Sequence, residues 1–394
     1  MRNNLFNLPD NWQWVKSESV IDVRDGTHDT PEYHSDGVPF ITSKNLVNGS
    51  VDFNGAAFIS LKDHNKFSQR SKVDNGDILL AMIGTIGNPV LVETDREFSI
   101  KNVALFKFTG SDVNNRYFRH LLDSKIIKRQ MALASRGGTQ KFVSLKVLRN
   151  LNIPLPPLAE QKRIAAILDK ADMLRTKRRA ALAKLDSLVQ SVFLEMFGDP
   201  VTNPMGWETK LFEHTVAIDA PMVDPRENQY KHLLHIGGDR IERDTGRILG
   251  AKTAEEDMLI SGKFLFDDRY ILYSKIRPNL RKVVMPDFRG LCSADVYPVR
   301  PLDNMIGREI LFQILLSESF TRFTKQHSGR ANIPKINRKQ FMSFECYIPP
   351  INLQNNFVDF VKCMGPTRLK SHESNYQSDN LFHALQQRAF RGEL

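Results

Sequence analysis

Cysteine is scarce in this chain of 394 residues: Cys292, Cys346 and Cys363 are too few and too scattered for a disulfide framework or a zinc cluster. Long apolar runs are missing as well. No stretch approaches the roughly 18 apolar residues of a membrane span, and the opening MRNNLFNLPDNW has no apolar segment of signal-peptide length. The expectation is a cytoplasmic protein without a metal site. Catalytic motifs are equally thin. There is no GxxxxGKS or GxxxxGKT phosphate loop, no GxGxxG after a strand, and no Asn-Pro-Pro-aromatic or Asp-Pro-Pro-aromatic string; nor is there a local Ser-His-Asp signature. Glu208-Thr209-Lys210, with Asp199 upstream, has the Glu-x-Lys spacing of metal-dependent nucleases, but such triplets occur freely by chance.

What the chain has is ordinary globular composition, 41% hydrophobic and 25% charged, with a formal net charge of +10. Lys and Arg in excess favour a polyanionic partner, because neutralised phosphates release counterions. The chain also repeats itself. IPLPPLAEQ (Ile153 to Gln161) returns as CYIPPINLQ (Cys346 to Gln354), 193 positions later. SLVQSVF (Ser187 to Phe193) is echoed by ALQQRAF (Ala384 to Phe390), and Trp12 and Trp207 open the two halves. A period this long points to two copies of a whole module, not to a solenoid.

Within each copy a head of short strands and turns precedes a helical segment. Strands are expected at VPFITS, DILLAMI, PVLVE and NVALFKF in the first head, and near Leu233–Ile236, Tyr270–Ser274 and Lys282–Met285 in the second. One helix is expected over Asn115–Ala134 and one over Ile306–Thr324. From Leu158 to Phe197 there is no Gly or Pro. Apolar residues there recur at three-four spacing through Ile164, Ile167, Leu174, Leu185, Leu188 and Val192, interrupted at Arg178. Forty helical residues make a rod of about 60 Å, ending at Gly198. The second helical segment carries Phe357, Phe360 and Leu385. Gly365-Pro366 should kink it or divide it in two, with a restart near Ser378. The fold expected is α/β (mixed α+β): heads at 1–155 and 199–348, helical regions at 156–198 and 349–394, the two long helices antiparallel in a coiled-coil spacer, and a pseudo-two-fold internal repeat.

Basic residues gather at turns. In the first head these are Arg24, Thr27 and His28 in VRDGTHDTP, Ser43 and Lys44 in FITSKN, and Arg136, Thr139, Gln140 and Lys141 in SRGGTQKF. In the second they are Lys275, Arg277, Asn279, Arg281 and Lys282 in YSKIRPNLRK, and Arg330, Asn332, Lys335 and Arg338 in HSGRANIPKINRK. Arg and Lys suit guanine edges, Asn and Gln suit adenine edges, and hydroxyls suit phosphates. These residues are the candidate DNA contacts. His28, alone in its loop, reads as a hydrogen-bonding residue before a base or ligand. Lys177-Arg178-Arg179 reads as a solvated helix face. Three functions fit: a non-catalytic DNA-recognition protein, a free-standing nuclease or methyltransferase with degenerate motifs, or an interaction scaffold.

The phrases IPLPPLAEQKRIAAILDKAD, IPPINLQNNFVDFV and LQQRAFRGEL resemble the conserved helical regions of type I restriction-modification specificity subunits. RDGTHDTP, NGDILLAMIG, GGTQKF, YSKIRPNLRK, LCSADVYP and SGRANIPKINRK are similar to motifs of that family's target-recognition domains. The resemblance spans the chain. It implies that each head reads one half of a split, asymmetric DNA site and that the helices set the gap and dock two modification subunits. It also implies that S-adenosylmethionine is brought by those subunits and ATP with Mg by restriction subunits, while this chain binds no cofactor and catalyses nothing. Asp267-Asp268-Arg269-Tyr270 stands where the family has a Gly-Asp turn, so a remodelled turn is expected there.

Overall fold

The repeat in the sequence is also a repeat of hydrogen bonds. The computed structural model describes residues 6–47, 49–84, 86–134, 142–328 and 333–394. Its chain divides into two units, Met1–Arg179 with Ser374–Leu394, and Ala180–Glu373. Each unit therefore holds one head and one part of each long helix. In the first, strand Gln13–Lys16 pairs antiparallel with Asn152–Leu155; in the second, Glu208–Leu211 pairs likewise with Glu345–Ile348. The Pro-Pro pair follows each second strand, and a buried glutamine then fixes the start of the long helix. Gln161 donates to the Pro156 carbonyl (2.9 Å) and accepts from the Asn114 amide (2.8 Å). Gln354 does the same with Pro349 (2.8 Å) and Gly307 (2.6 Å). A buried amide must find both partners, which accounts for glutamine at this place in both copies.

Each head carries a four-stranded antiparallel sheet. The strand order is Asp22–Asp25, Val103–Lys107, Ile78–Ala81, Gly87–Leu91 in the first, and Val216–Ala217, Val296–Pro301, Ile271–Ser274, Val283–Val284 in the second. A further sheet contains a parallel pair, Val38–Ile41 with Ser99–Ile100 and Leu234–Ile236 with Gly290–Cys292. The architecture is thus mixed helix and sheet. The single helices expected over Asn115–Ala134 and Ile306–Thr324 are each two: Asn115–Asp123 and Lys125–Ala134, Arg308–Leu316 and Glu318–His327. Ser124 and Ser317 take extended backbone at the breaks, and the Ser317 hydroxyl caps the new helix by accepting from Phe320 (3.0 Å). A serine can leave a helix for the cap role without disturbing the apolar period around it.

The first long helix runs Leu158–Phe197 without a break. The second runs Ile351–Ala389 without a break at Gly365-Pro366, so the expected division into two pieces is incorrect. An interior proline costs about 3 kcal/mol of helix stability, but the turns on both sides are anchored. In the second unit Phe357 lies between Phe193 and Phe197, and Arg368 bonds Asp186 (2.7 Å). In the first, Asp379 bonds Arg179 (2.7 Å) and Phe382 joins the head's core. Within each unit the two helix segments run antiparallel, since rising numbers on one meet falling numbers on the other.

The buried line of the first helix also differs from the expected seam. Leu174 and Leu188 are 50% and 42% exposed. Ile167, Leu185 and Val192 are half-buried, and Ile164 alone of the six is buried. The line instead follows Gln161, Ala165, Leu168, Leu182, Val189, Phe193 and Phe197. Arg175, Arg179 and Asp186 stand at its intermediate turns: Arg175 bonds Asp172 on its own helix (2.5 Å) and lies 3.7 Å from Asp379, Arg179 bonds Asp379, and Asp186 bonds Arg368. Charged residues can occupy a seam when each meets an opposite charge, and apolarity alone does not reveal that.

Candidate nucleic-acid interface

In the second unit the turn between Ile271–Ser274 and Val283–Val284 is braced from three sides. The Lys275 ammonium donates to the Ala294 carbonyl (2.8 Å) and lies 3.4 Å from Asp295. Arg281 pairs with Asp244 (2.6 Å), and Lys282 donates to the Gly238 carbonyl (2.6 Å). Ile276 bridges to Lys335, and the Arg277 amide donates to Pro334 (2.8 Å). This brings two stretches far apart in sequence to one edge. Arg277, Asn279, Lys335 and Arg338 are exposed there. Lys339, the last residue of the HSGRANIPKINRK stretch and beside Arg338 on the short helix Arg338–Met342, adds a further exposed cation. The structure thus sorts the expected contacts: Lys275, Arg281 and Lys282 hold the turn, while Arg277, Asn279, Lys335 and Arg338 face outward.

The equivalent edge of the first unit is built on the bridge between Ile83 and Phe142. Among its described residues it carries the exposed Lys146, the counterpart of Lys339, and a further group of charges is built on Asp25. The buried Asp25 carboxylate receives Arg70 and sits 3.1 Å from His28, whose other ring nitrogen meets Asn102 (2.6 Å). Arg24 pairs with Asp22 (2.8 Å) and also bonds the Arg70 carbonyl (3.0 Å). Thr27 bridges to Lys101, whose ammonium reaches Thr30 (2.5 Å). Gly26 is required at this turn, because a Cβ there would meet the Ile100 carbonyl oxygen at 2.3 Å. Ser43 and Lys44 lie on a short 3-10 turn closed by Thr42 and Asn45, with Lys44 exposed. Arg70, Lys101 and Asn102 complete this cluster. Nothing in sequence couples Arg70 to Asp25. Arg136, Thr139, Gln140, Lys141, Arg330 and Asn332 lie outside the described residues.

Two arrangements bear on catalysis. Asp199 accepts from the Val201 and Thr202 amides and from Ser319, and Lys210 pairs with Glu208 (3.2 Å). The Asp-Glu-Lys triplet is thereby a turn and a strand-face ion pair. A Ser-His-Asp geometry that sequence did not reveal lies elsewhere: Ser293 and His235 are 2.9 Å apart, and His235 and Asp257 2.8 Å. Arg240 clamps both Asp257 oxygens (2.6 Å each) and holds that carboxyl at about 2, while burial pushes His235 below its ordinary value. The network ties Leu234–Ile236 to the turn after Gly290–Cys292. Among the described residues no group of three or more His, Cys, Asp or Glu is placed to hold a metal ion, and no helix is long and apolar enough to cross a membrane.

The Asp267–Tyr270 turn keeps its closing hydrogen bond but is remodelled in backbone form, as expected: its third residue is Gly76 at φ +91° in the first unit, and Arg269, at that place in the second, has no positive φ. The Tyr270 amide donates to Asp267 as the Asp77 amide donates to Asp74. The polar lock changes as well: Asp77 with Lys107 (2.7 Å) in the first unit, Tyr270 and Arg300 on Asp219 in the second.

A family model described as the Type I restriction modification DNA specificity domain matches residues 9–184. The chain is 25% identical over 444 residues to the Type I restriction enzyme EcoDI specificity subunit of Escherichia coli, covering 98% of this chain and 89% of that one. It is 24% identical to the StySPI specificity subunit of Salmonella potsdam, over 99% of this chain and 91% of the relative. In fold it is similar to the type I restriction-modification S subunit from M. genitalium, with a TM-score of 0.52 at 13% identity over 99% of this chain and 98% of that one.

Proposed function

We infer that this chain belongs to the type I restriction-modification specificity subunits, and from that premise we propose that its two heads read two different halves of one split DNA site. Its role is DNA specificity in a restriction-modification system. The observation that carries the two-head reading is a shared hydrogen-bond frame with unlike edges. The glutamine locks, the strand pairs at the head bases and the bridges Ile83–Phe142 and Ile276–Lys335 recur, whereas among the described residues the second unit's edge places Arg277, Lys335 and Arg338 where the first unit's has Gly84, Phe142 and Leu145. A common scaffold with different side chains at its rim suits two different half-sites.

In this reading the long helices form the coiled-coil spacer that sets the gap between half-sites. They also dock modification subunits, and the exposed Leu174 and Leu188 fit that role. S-adenosylmethionine belongs to the modification subunits, ATP and Mg to restriction subunits, and this chain contributes selection without catalysis. The test is binding of the chain, assembled with its modification subunit, to a randomised DNA library. A motif of two defined halves around a fixed undefined gap is the expected outcome. A single continuous motif would sink the two-head reading.

A further inference from the structure

We propose that Arg277 reads a guanine in the half-site of the second unit, an inference that rests on the reading above. The two bridges fix the equivalence between heads. Ile83 faces Phe142 and Ile276 faces Lys335, while Val143 donates to Met82 and Ile336 donates to Lys275. The residue after each bridge is therefore the same place in both heads. In the first it is Gly84, at φ +77°, with open space where a Cβ would stand. In the second it is Arg277, at φ +49°.

Left-handed backbone suits glycine and disfavours any residue with a Cβ. The second head thus places a bulky side chain where its own counterpart has glycine. Strain of this kind persists only where surrounding structure enforces it, and it collects at functional positions. Enforcement is visible: the Arg277 amide donates to Pro334 (2.8 Å), the Leu280 amide donates to the Arg277 carbonyl (2.9 Å), and Pro278 follows directly.

Charge separates Arg277 from its neighbours. Lys275, Arg281 and Lys282 each bond an acceptor within the unit. Among the described residues the Arg277 guanidinium is exposed and has no hydrogen bond or ion pair. An unspent planar fork carried on a fixed backbone matches the O6 and N7 acceptors of guanine in the major groove. A phosphate contact needs neither a planar fork nor a fixed backbone beneath it, and the exposed Lys335 and Arg338 are available for that task.

The test compares Arg277→Gly and Arg277→Lys with the unaltered chain, each assembled with the modification subunit. Binding is measured to the recognised site and to sites altered at single base pairs, over a range of salt. Arg277→Gly should keep or raise the urea midpoint, because glycine relieves the left-handed strain. It should lose roughly 5- to 150-fold of discrimination at one G·C pair in one half-site, leaving the other half intact. Arg277→Lys, which keeps the charge and not the fork, should lose most of that discrimination too. An unchanged motif in Arg277→Gly overturns the proposal. So does a uniform loss across sequences with the salt slope reduced by about 1, which marks a phosphate contact, and so does a lowered urea midpoint, which marks a structural role. If the unaltered complex shows no sequence preference, the two-head reading itself fails, and that result is distinct from the other three.

Discussion

Lys107 and Arg300 occupy matching places in the two heads, 193 positions apart, yet their loss should cost very different amounts. The Lys107 side chain is 9% exposed and bonds Asp77, which is 2% exposed, at 2.7 Å; it also meets Asp74 (2.5 Å) and the Lys72 carbonyl (3.1 Å). Changing Lys107 to Met leaves the Asp77 carboxylate buried without its cation. Breaking a buried pair from one side costs about 3–5 kcal/mol. The Asp74 amide still donates to Asp77 (2.8 Å), which places the expectation at about 3 kcal/mol. Arg300 and Asp219 are 27% and 43% exposed at the side chain, so water replaces the lost partner and Arg300→Met should cost about 1 kcal/mol or less. Urea unfolding reads the two separately, because the three tryptophans are Trp12 and Trp14 in the first unit and Trp207 in the second. A Trp207→Phe background reports the first unit, and a Trp12→Phe, Trp14→Phe background the second. Lys107→Met and Arg300→Met with equal costs would refute the claim that burial decides the magnitude. A double change of Lys107→Met with Asp77→Leu should recover much of the loss.

Pro366→Ala should stabilise the second helix by about 1–3 kcal/mol, read by circular dichroism during urea unfolding, since the helix already runs through that position; an unfolding midpoint that falls would show that the proline is required. The second unit should weaken on acidification in two stages. His235 and His372 are held below their ordinary value by burial, so the unfolded chain takes up protons first and stability declines as pH falls below about 6.5. Asp257, held at about 2 mainly by Arg240, adds a loss between about pH 4 and pH 2. Trp207 fluorescence against pH checks both, and His235→Gln should shrink the first stage only. Leu174→Ser with Leu188→Ser should leave the urea midpoint within about 0.5 kcal/mol of its original value, because both are exposed, and should weaken capture of the modification subunit about tenfold or more; undiminished capture would exclude this stripe as the docking face.

Long-range repetition was legible because it is written in residues whose roles are local and stereochemical. Pro156-Pro157 and Pro349-Pro350 end a strand and admit a helix, and Gln161 and Gln354 close the same lock. The helix breaks at Ser124 and Ser317 were hidden because serine fits both a helix surface and a cap, and the apolar period continues across it. The seam was misplaced by about one position because Arg175, Arg179 and Asp186 stand along it and form ion pairs with Asp379 and Arg368 on the other helix, about 180 to 200 positions away. The basic loops were found as loops and not as contacts. Lys275, Arg277, Arg281 and Lys282 look alike in sequence, and what separates them is an acceptor supplied by Ala294, Asp244 or Gly238.

The central claim is that this chain selects a split DNA site for chemistry performed by another subunit. Single-molecule methylation sequencing tests it most directly, in a methylation-free host expressing this chain alone, the modification subunit alone, or both. The account predicts methyladenine at one two-part motif only when both are present. Methylation by this chain alone, or the same motif from the modification subunit alone, would contradict it.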